Sequence, residues 1–183
     1  PAGIFAALTL TERTGLRVAI LDKGRDIEKR HCPLREYGGA CRHCQPCAIL
    51  NGWGGAGAFS DGKLTLSPAV GGHLAEIVGE AAATALLSEV DAAYVAFGAP
   101  DTVHGRYSNE IEHLEKRAVL AALRFISVPI RHMGTERCAD IMRGMRDVLL
   151  QRGVTIRTRT AVDHVLIENG RVVGVSLADG ERL

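Results

Sequence analysis

Cys41-Arg42-His43-Cys44-Gln45-Pro46-Cys47 sets three thiols at successive three-residue intervals, with Cys32 upstream as a fourth. Thiolates are soft ligands, and at this spacing they can turn toward one centre, the chemistry of an iron–sulfur cluster or a zinc site. Neither pattern is complete. Zinc sites usually use two separated pairs, and a ferredoxin-like run carries its Cys-Pro downstream, whereas Cys32-Pro33 lies upstream. Cys32, Cys41, Cys44 and Cys47 are therefore candidate metal ligands, with His31 and His43 beside them. Reduced surface thiols, or thiol–disulfide exchange through Cys41 and Cys44 or Cys44 and Cys47, are the alternatives. Cys138 falls inside an amphipathic stretch and reads as core.

A second constellation is Gly52-Trp53-Gly54-Gly55-Ala56-Gly57-Ala58-Phe59-Ser60-Asp61-Gly62-Lys63-Leu64. Without side chains in the way, such a run can bring backbone N–H groups onto a pyrophosphate or the edge of a flat cofactor. A merely flexible loop would not need Trp53 and Phe59 within it. Pro1-Ala2-Gly3 lies nineteen residues before Asp22. That is the separation between the last glycine of a dinucleotide fingerprint and the acid that binds a ribose. The glycine permits close packing at a helix N-terminus that faces the diphosphate, and the acid ends the neighbouring strand. NAD satisfies the same geometry, and an acid at Asp22 disfavours a 2′-phosphate by charge repulsion.

Two further polar residues are candidates for chemistry. His132 follows a strand and precedes Gly134-Thr135 at a helix start, where it could transfer a proton, orient a substrate or simply cap the connection. Lys63 could place a charge near a reduced cofactor or lie on the surface.

The elements that must position these residues alternate between helix and strand. A helix opens at Pro1, where a missing N–H is harmless, and Gly15 is expected to end it. Leu16-Arg17-Val18-Ala19-Ile20-Leu21 reads as a buried strand closing at Asp22. Residues 26–50 lack apolar periodicity and form an excursion. Residues 75–97 read as one or two helices with Gly79 a weak point, and 109–124 as another. Residues 125–130 are a strand candidate. Residues 135–151 are an amphipathic helix, with Ile141, Met145, Val148 and Leu149 on one face and Gly153 as the stop. Residues 154–158 form a strand, and 161–167 with 171–178 a hairpin turning at Asn169-Gly170.

Composition bounds the function. The 183 residues carry 22 Lys+Arg against 21 Asp+Glu, so no net field draws the chain to nucleic acid or membrane. No apolar run is long enough to span a bilayer, and five cysteines, an odd number, argue against a paired disulfide framework. These features predict a reduced, cytoplasmic protein acting on a small molecule. Glycine, at 21 residues, stands well above the average of about 7%. This suits a backbone that approaches a large cofactor. The helix opening at Pro1 without a preceding strand, and the last residues entering a new one, lead to the expectation of a fragment beginning inside the first phosphate-binding loop.

Taken together, Pro1-Ala2-Gly3-Ile4-Phe5-Ala6-Ala7, Asp22-Lys23-Gly24, the stretch 32–47, the run 52–66, His132-Met133-Gly134-Thr135 and the hairpin region 153–180 resemble a family. It is the uncharacterised bacterial FAD-dependent dehydrogenase branch of the glutathione-reductase-like flavoproteins. The resemblance implies an incomplete Rossmann-like FAD-binding domain of α/β class, with a helical insertion and a terminal β-hairpin region. It implies non-covalent FAD, with Gly3 at the diphosphate and Asp22, Lys23 and Gly24 around the adenosine ribose. Gly54, Gly55, Ala56, Gly57 and Ser60 would lie along the diphosphate, ribityl chain or ring, and Val162 would offer backbone contacts to the adenine. The expected division is 1–74, 75–124 and 125–183, the middle part being a helical insertion or cap. The expected activity is hydride or electron transfer between a substrate and flavin, with NAD(P) a candidate redox partner and an iron–sulfur centre or zinc in the cysteine loop. The rival readings are an NAD-linked enzyme with a structural metal and a non-enzymatic, metal-stabilised interaction module.

Overall fold

The structure is a computed structural model describing all of residues 1–183. Its chain divides into two compact units, one made of 1–60 with 138–183 and the other of 61–137. The second reaches beyond the helical stretch 75–124 on both sides.

In the first unit, helix α1 (Ala2–Arg13) buries Ile4 and Ala7, one turn apart on one face. It stops one residue earlier than Gly15 would dictate, at extended Thr14, whose hydroxyl donates to the Leu10 carbonyl. Strand β1 (Ala19–Asp22) pairs in parallel with β4 (Thr155–Thr158), Ala19 opposite Thr155 and Asp22 opposite Thr158. Between them in sequence lies α6 (Thr135–Gln151), which buries Cys138, Ile141, Met142, Met145 and Leu149. The spacing of these five is that of one helical face, and each fully buried aliphatic side chain there contributes roughly 1.5–3 kcal/mol. Gly153 (φ 78°) ends that helix as expected.

Residues 26–50 are more ordered than their composition suggests. They hold a 3-10 turn (Ile27–Lys29) and a short helix α2 (Pro33–Tyr37), begun by proline at its first position. A second 3-10 turn (Ala56–Phe59) follows the glycine run. Strands β5 (Val162–Glu168) and β6 (Arg171–Leu177) close the unit as a hairpin. Its turn at Asn169 (φ 48°) and Gly170 (φ 74°) has both residues left-handed, the geometry that Asn-Gly favours.

The second unit contains β2 (Lys63–Thr65), α3 (Leu74–Val78), α4 (Glu80–Ala96), α5 (Asn109–Leu120) and β3 (Ile130–His132). Gly79 (φ 83°) separates α3 from α4, the break foreseen at that residue. Ser108 caps α5, accepting from the Ile111 N–H. The strand expected over 125–130 forms later, at Ile130–His132, because only there does β2 supply an antiparallel partner.

The fold is therefore mixed α/β, with three two-stranded sheets of which two are antiparallel. This corrects the expectation of a Rossmann-like sheet. The β1–β4 pair alone has the parallel arrangement, and the other strands pair with antiparallel neighbours, which leaves no wider parallel sheet. No helix is long and apolar enough to cross a membrane.

Candidate functional site

In the first unit the glycine run meets the start of α1. A Cβ added to Gly55 would lie 3.2 Å from Pro1 Cδ, so the loop and the helix N-terminus are in van der Waals reach. The first N–H groups of α1 lack intrahelical acceptors by construction, no side chain caps them, and no acid stands in the first turn. A Cβ at Gly3 or Gly57 would meet nothing within 4 Å, so both face open space. Uncapped donors, a positive helix end and side-chain-free backbone are what a diphosphate requires.

Not every glycine of the run serves that space. A Cβ at Gly54 would sit 2.9 Å from both Ala58 Cβ and Met142 Cγ, and its φ of 83° is left-handed. Gly24 is held as closely, because a Cβ there would run into the backbone nitrogen of Gly52. These two residues are glycine for packing reasons. Trp53, 2% exposed, explains why the loop carries an aromatic: its indole Nε1 donates to the Met142 carbonyl at 2.7 Å and anchors the run to α6. Ala56 and Ser60 are exposed, the Ser60 hydroxyl donating to Gly57 O at 3.0 Å.

Asp22 ends β1 as expected, and one carboxylate oxygen accepts from Gly24 N–H at 2.7 Å. That bond orients the carboxylate and leaves it capacity for further donors such as ribose hydroxyls. Lys23 is exposed beside it. Val162 opens β5 opposite Leu177 and is exposed as well.

Arg30 was not singled out by sequence, where it lies in a charged stretch, yet it is 4% exposed. Its Nε donates to Ala48 O (2.9 Å), Nη1 to Trp53 O (2.6 Å) and Nη2 to Ile49 O (2.8 Å). The guanidinium also stacks over Phe59, 4.6 Å from the ring centroid. One side chain thus fastens the glycine run, at Trp53 and Phe59, to the excursion. Burial pulls its pKa below the ordinary arginine value, a shift that Asp22 and Cys47 partly offset by favouring the charged form.

The cysteines are not gathered as the spacing suggests. Cys32 precedes α2 and is half-buried, Cys47 accepts backbone bonds from Leu50 and Asn51, and Cys41 and Cys44 are exposed. No three Cys, His, Asp or Glu side chains form a group that could hold a metal ion. Cys32 and Cys44 line different cavities. The expected four-thiolate centre is corrected accordingly: α2 and the turn at Cys47 fix the outer two thiols separately. His31 pairs with Glu36 at 2.8 Å instead of joining the thiols.

The second unit unites both residues considered for proton or charge transfer. Lys63 and His132 are cross-strand partners in the β2–β3 register. Lys63 Nζ lies 2.8 Å from Asp61 Oδ2, and His132 Nε2 lies 3.2 Å from the Asp61 carbonyl. A carbonyl only accepts, so Nε2 carries the proton and Nδ1 of the neutral ring is left as a base. The Lys63 hydrogen bond, aided by His132, holds the Asp61 carboxyl below the usual carboxylate range. Closure at this end depends on Gly62 and Gly134, both left-handed. A Cβ on Gly62 would lie 2.5 Å from Gly134 N, and Met133 N–H donates to Gly62 O at 2.7 Å.

No protein-family profile matches the chain. An uncharacterized protein of Clostridium beijerinckii is 46% identical over 65 residues, which are 36% of this chain and 12% of that protein. An L-amino acid deaminase from Proteus vulgaris aligns over 97% of this chain and 42% of its own, at 13% identity with a TM-score of 0.48. The L-amino acid deaminase from Proteus myxofaciens in complex with anthranilate aligns over 97% and 40%, at 16% identity with a TM-score of 0.42. The chain spans about two fifths of those two proteins. Likeness at such scores carries no argument about activity.

Proposed function

We propose that this chain contributes the FAD-holding region of an oxidoreductase that moves hydride or electrons between a small-molecule substrate and flavin. The observation that carries the reading is the meeting of the α1 N-terminus with the glycine loop at Pro1 and Gly55, in the same unit as the oriented carboxylate at Asp22. The residues fit the group. The α1 N-terminus with Gly3, Gly55, Ala56 and Gly57 would hold the diphosphate and the chain next to it. Asp22 would accept from ribose hydroxyls, with Lys23 beside it and the Val162 backbone toward the adenine.

Bound there, FAD would supply the two-electron redox chemistry. The protein's share is orientation and proton handling. Trp53 and Arg30 keep the loop in one shape, which lowers the ordering cost of binding. Within the second unit, His132, with its tautomer set by the Asp61 carbonyl, would offer a proton acceptor at Nδ1. Lys63, held by Asp61, would offer a positive charge on the same strand pair.

The test is direct. Adding FAD to the purified protein is expected to quench flavin fluorescence saturably, and Asp22→Ala to weaken binding about tenfold through loss of a charge-assisted hydrogen bond. Fluorescence unaffected by the folded protein would end the flavin reading. If flavin binds, His132→Gln is expected to lower turnover about tenfold while leaving FAD affinity unchanged.

A further inference from the structure

Helix α5 in the second unit is capped by Ser108 but has no buried residue along its 12 positions. A helix of that length gains little from propensity alone, and in folded proteins its stability comes from burying an apolar face. Helix α6, also amphipathic, buries five residues. On α5, Leu114, Val119 and Leu120 instead stand exposed, Leu120 to 88%, and Leu123 just after the helix to 65%. Apolar side chains gathered in the open on one short segment mark an interaction surface.

The charges on α5 say what covers it. Glu110, Leu114, Arg117 and Ala121 follow one another at helical spacing, which places them in one row along the helix, and all four are exposed. Neither Glu110 nor Arg117 has an ion-pair partner within the chain, whereas Glu112 and Lys116, on the far side of the helix, are bonded to each other at 2.7 Å. Leu114 lies near the midpoint between the free acid and the free base. The row is therefore self-complementary about a two-fold axis. An antiparallel second copy crossing at Leu114 sets leucine on leucine and Glu110 against Arg117 twice. A parallel copy would set glutamate on glutamate and arginine on arginine, so the pattern selects a direction as well as a partner.

We infer that the α5 face binds a second copy of this chain, antiparallel about Leu114, with a Glu110–Arg117 pair on either side of the axis. Ala118 beside the row and Ala121 at its end are small, which lets the two helix axes approach. Tyr107, exposed just ahead of the helix, reaches the level of Leu120 and Leu123 of the other copy. One helix against its twin is a small contact, so the association is weak and reversible. It is independent of whether the chain holds flavin.

Sedimentation velocity of the whole chain over a concentration series tests this. A monomer–dimer equilibrium with a Kd of about 10–100 μM is expected, the range that suits a small transient contact. Glu110→Arg or Arg117→Glu alone puts like charges together twice and should weaken the dimer about tenfold. The two substitutions combined restore opposite charges in an antiparallel pair, though not in a parallel one, and should return the Kd to within about threefold of the parent. Leu114→Glu sets two carboxylates on the axis and should abolish association. Lys116→Gln, on the far side, should leave it unchanged. These positions are exposed in the monomer, and unaltered circular dichroism confirms that each variant still folds. A chain that stays monomeric to about 500 μM overturns the inference, and the face then serves a partner of different chemistry. A dimer that ignores Leu114→Glu, or that the combined charge exchange fails to restore, overturns it equally.

Discussion

Each unit buries one arginine to the same degree, 4% exposed, and each neutralises the cost differently. In the second unit Arg131 meets Asp91 through two bonds, Nε to Oδ1 at 2.5 Å and Nη2 to Oδ2 at 2.7 Å, and also donates to the Pro100 carbonyl. The Asp91 hydrogen bonds raise its pKa above the ordinary arginine value against the pull of burial. In the first unit Arg30 donates to three backbone carbonyls and stacks over Phe59, and burial lowers its pKa. A carboxylate partner ties one helix to one strand. Three carbonyls from Ala48, Ile49 and Trp53 instead let one side chain dictate the path of a loop, and that loop is the candidate cofactor cradle.

Breaking each arginine separates the two solutions. Arg30→Met strands three carbonyls at once and is expected to lower stability by about 4 kcal/mol in urea denaturation. No single compensating substitution should recover it. Asp91→Ala leaves Arg131 as an uncompensated buried charge and should cost about 3 kcal/mol. Here a partner exists, so Asp91→Leu combined with Arg131→Met should return to within about 1 kcal/mol of the parent by removing both charges. Failure of that recovery would mean that Arg131, like Arg30, is held mainly by backbone.

A smaller effect tests whether the loop depends on its anchor at α6. Trp53→Phe keeps most of the buried ring but loses the bond to Met142 O, and should cost about 1–2 kcal/mol by thermal melting. The smallest effect concerns a surface pair in the first unit. Arg157 grips Glu181 through two bonds of 2.9 and 2.6 Å and holds its carboxyl below the ordinary range. A lowered carboxylate pKa stabilises the fold above the unfolded value, and that contribution is lost as pH falls through the folded value. Carbon-detected NMR titration should find the Glu181 midpoint returning upward in Arg157→Gln.

Much of the local structure was legible because it is written in neighbours. Asn169-Gly170, Gly153 and Gly79 each break or turn the chain at the residue that can be left-handed, and the apolar spacing of α6 marks its buried face. Asp22 at a strand end followed from a short apolar run. Pairing partners were not legible. The expected strand at 125–130 slid to Ile130–His132, and the wider parallel sheet was absent, because register depends on which distant strand is adjacent. The cysteine spacing misled for a related reason: intervals of three bring thiols together only if the loop closes on itself, and α2 and the Cys47 turn hold this one open.

The sequence by itself determined that Gly79 and Gly153 interrupt helices, which face of α6 is apolar, and that a glycine run containing Trp53 and Phe59 would be structured. Tertiary structure alone decided that Arg30 is buried under that run, that Lys63 and His132 stand opposite each other, and that Leu114 and Leu120 of α5 stay exposed. The physical reason is range. Backbone conformation is set within a few residues of the chain, while the burial of a charge and the meeting of side chains many residues apart are properties of the packed molecule, invisible until the strands have chosen their partners.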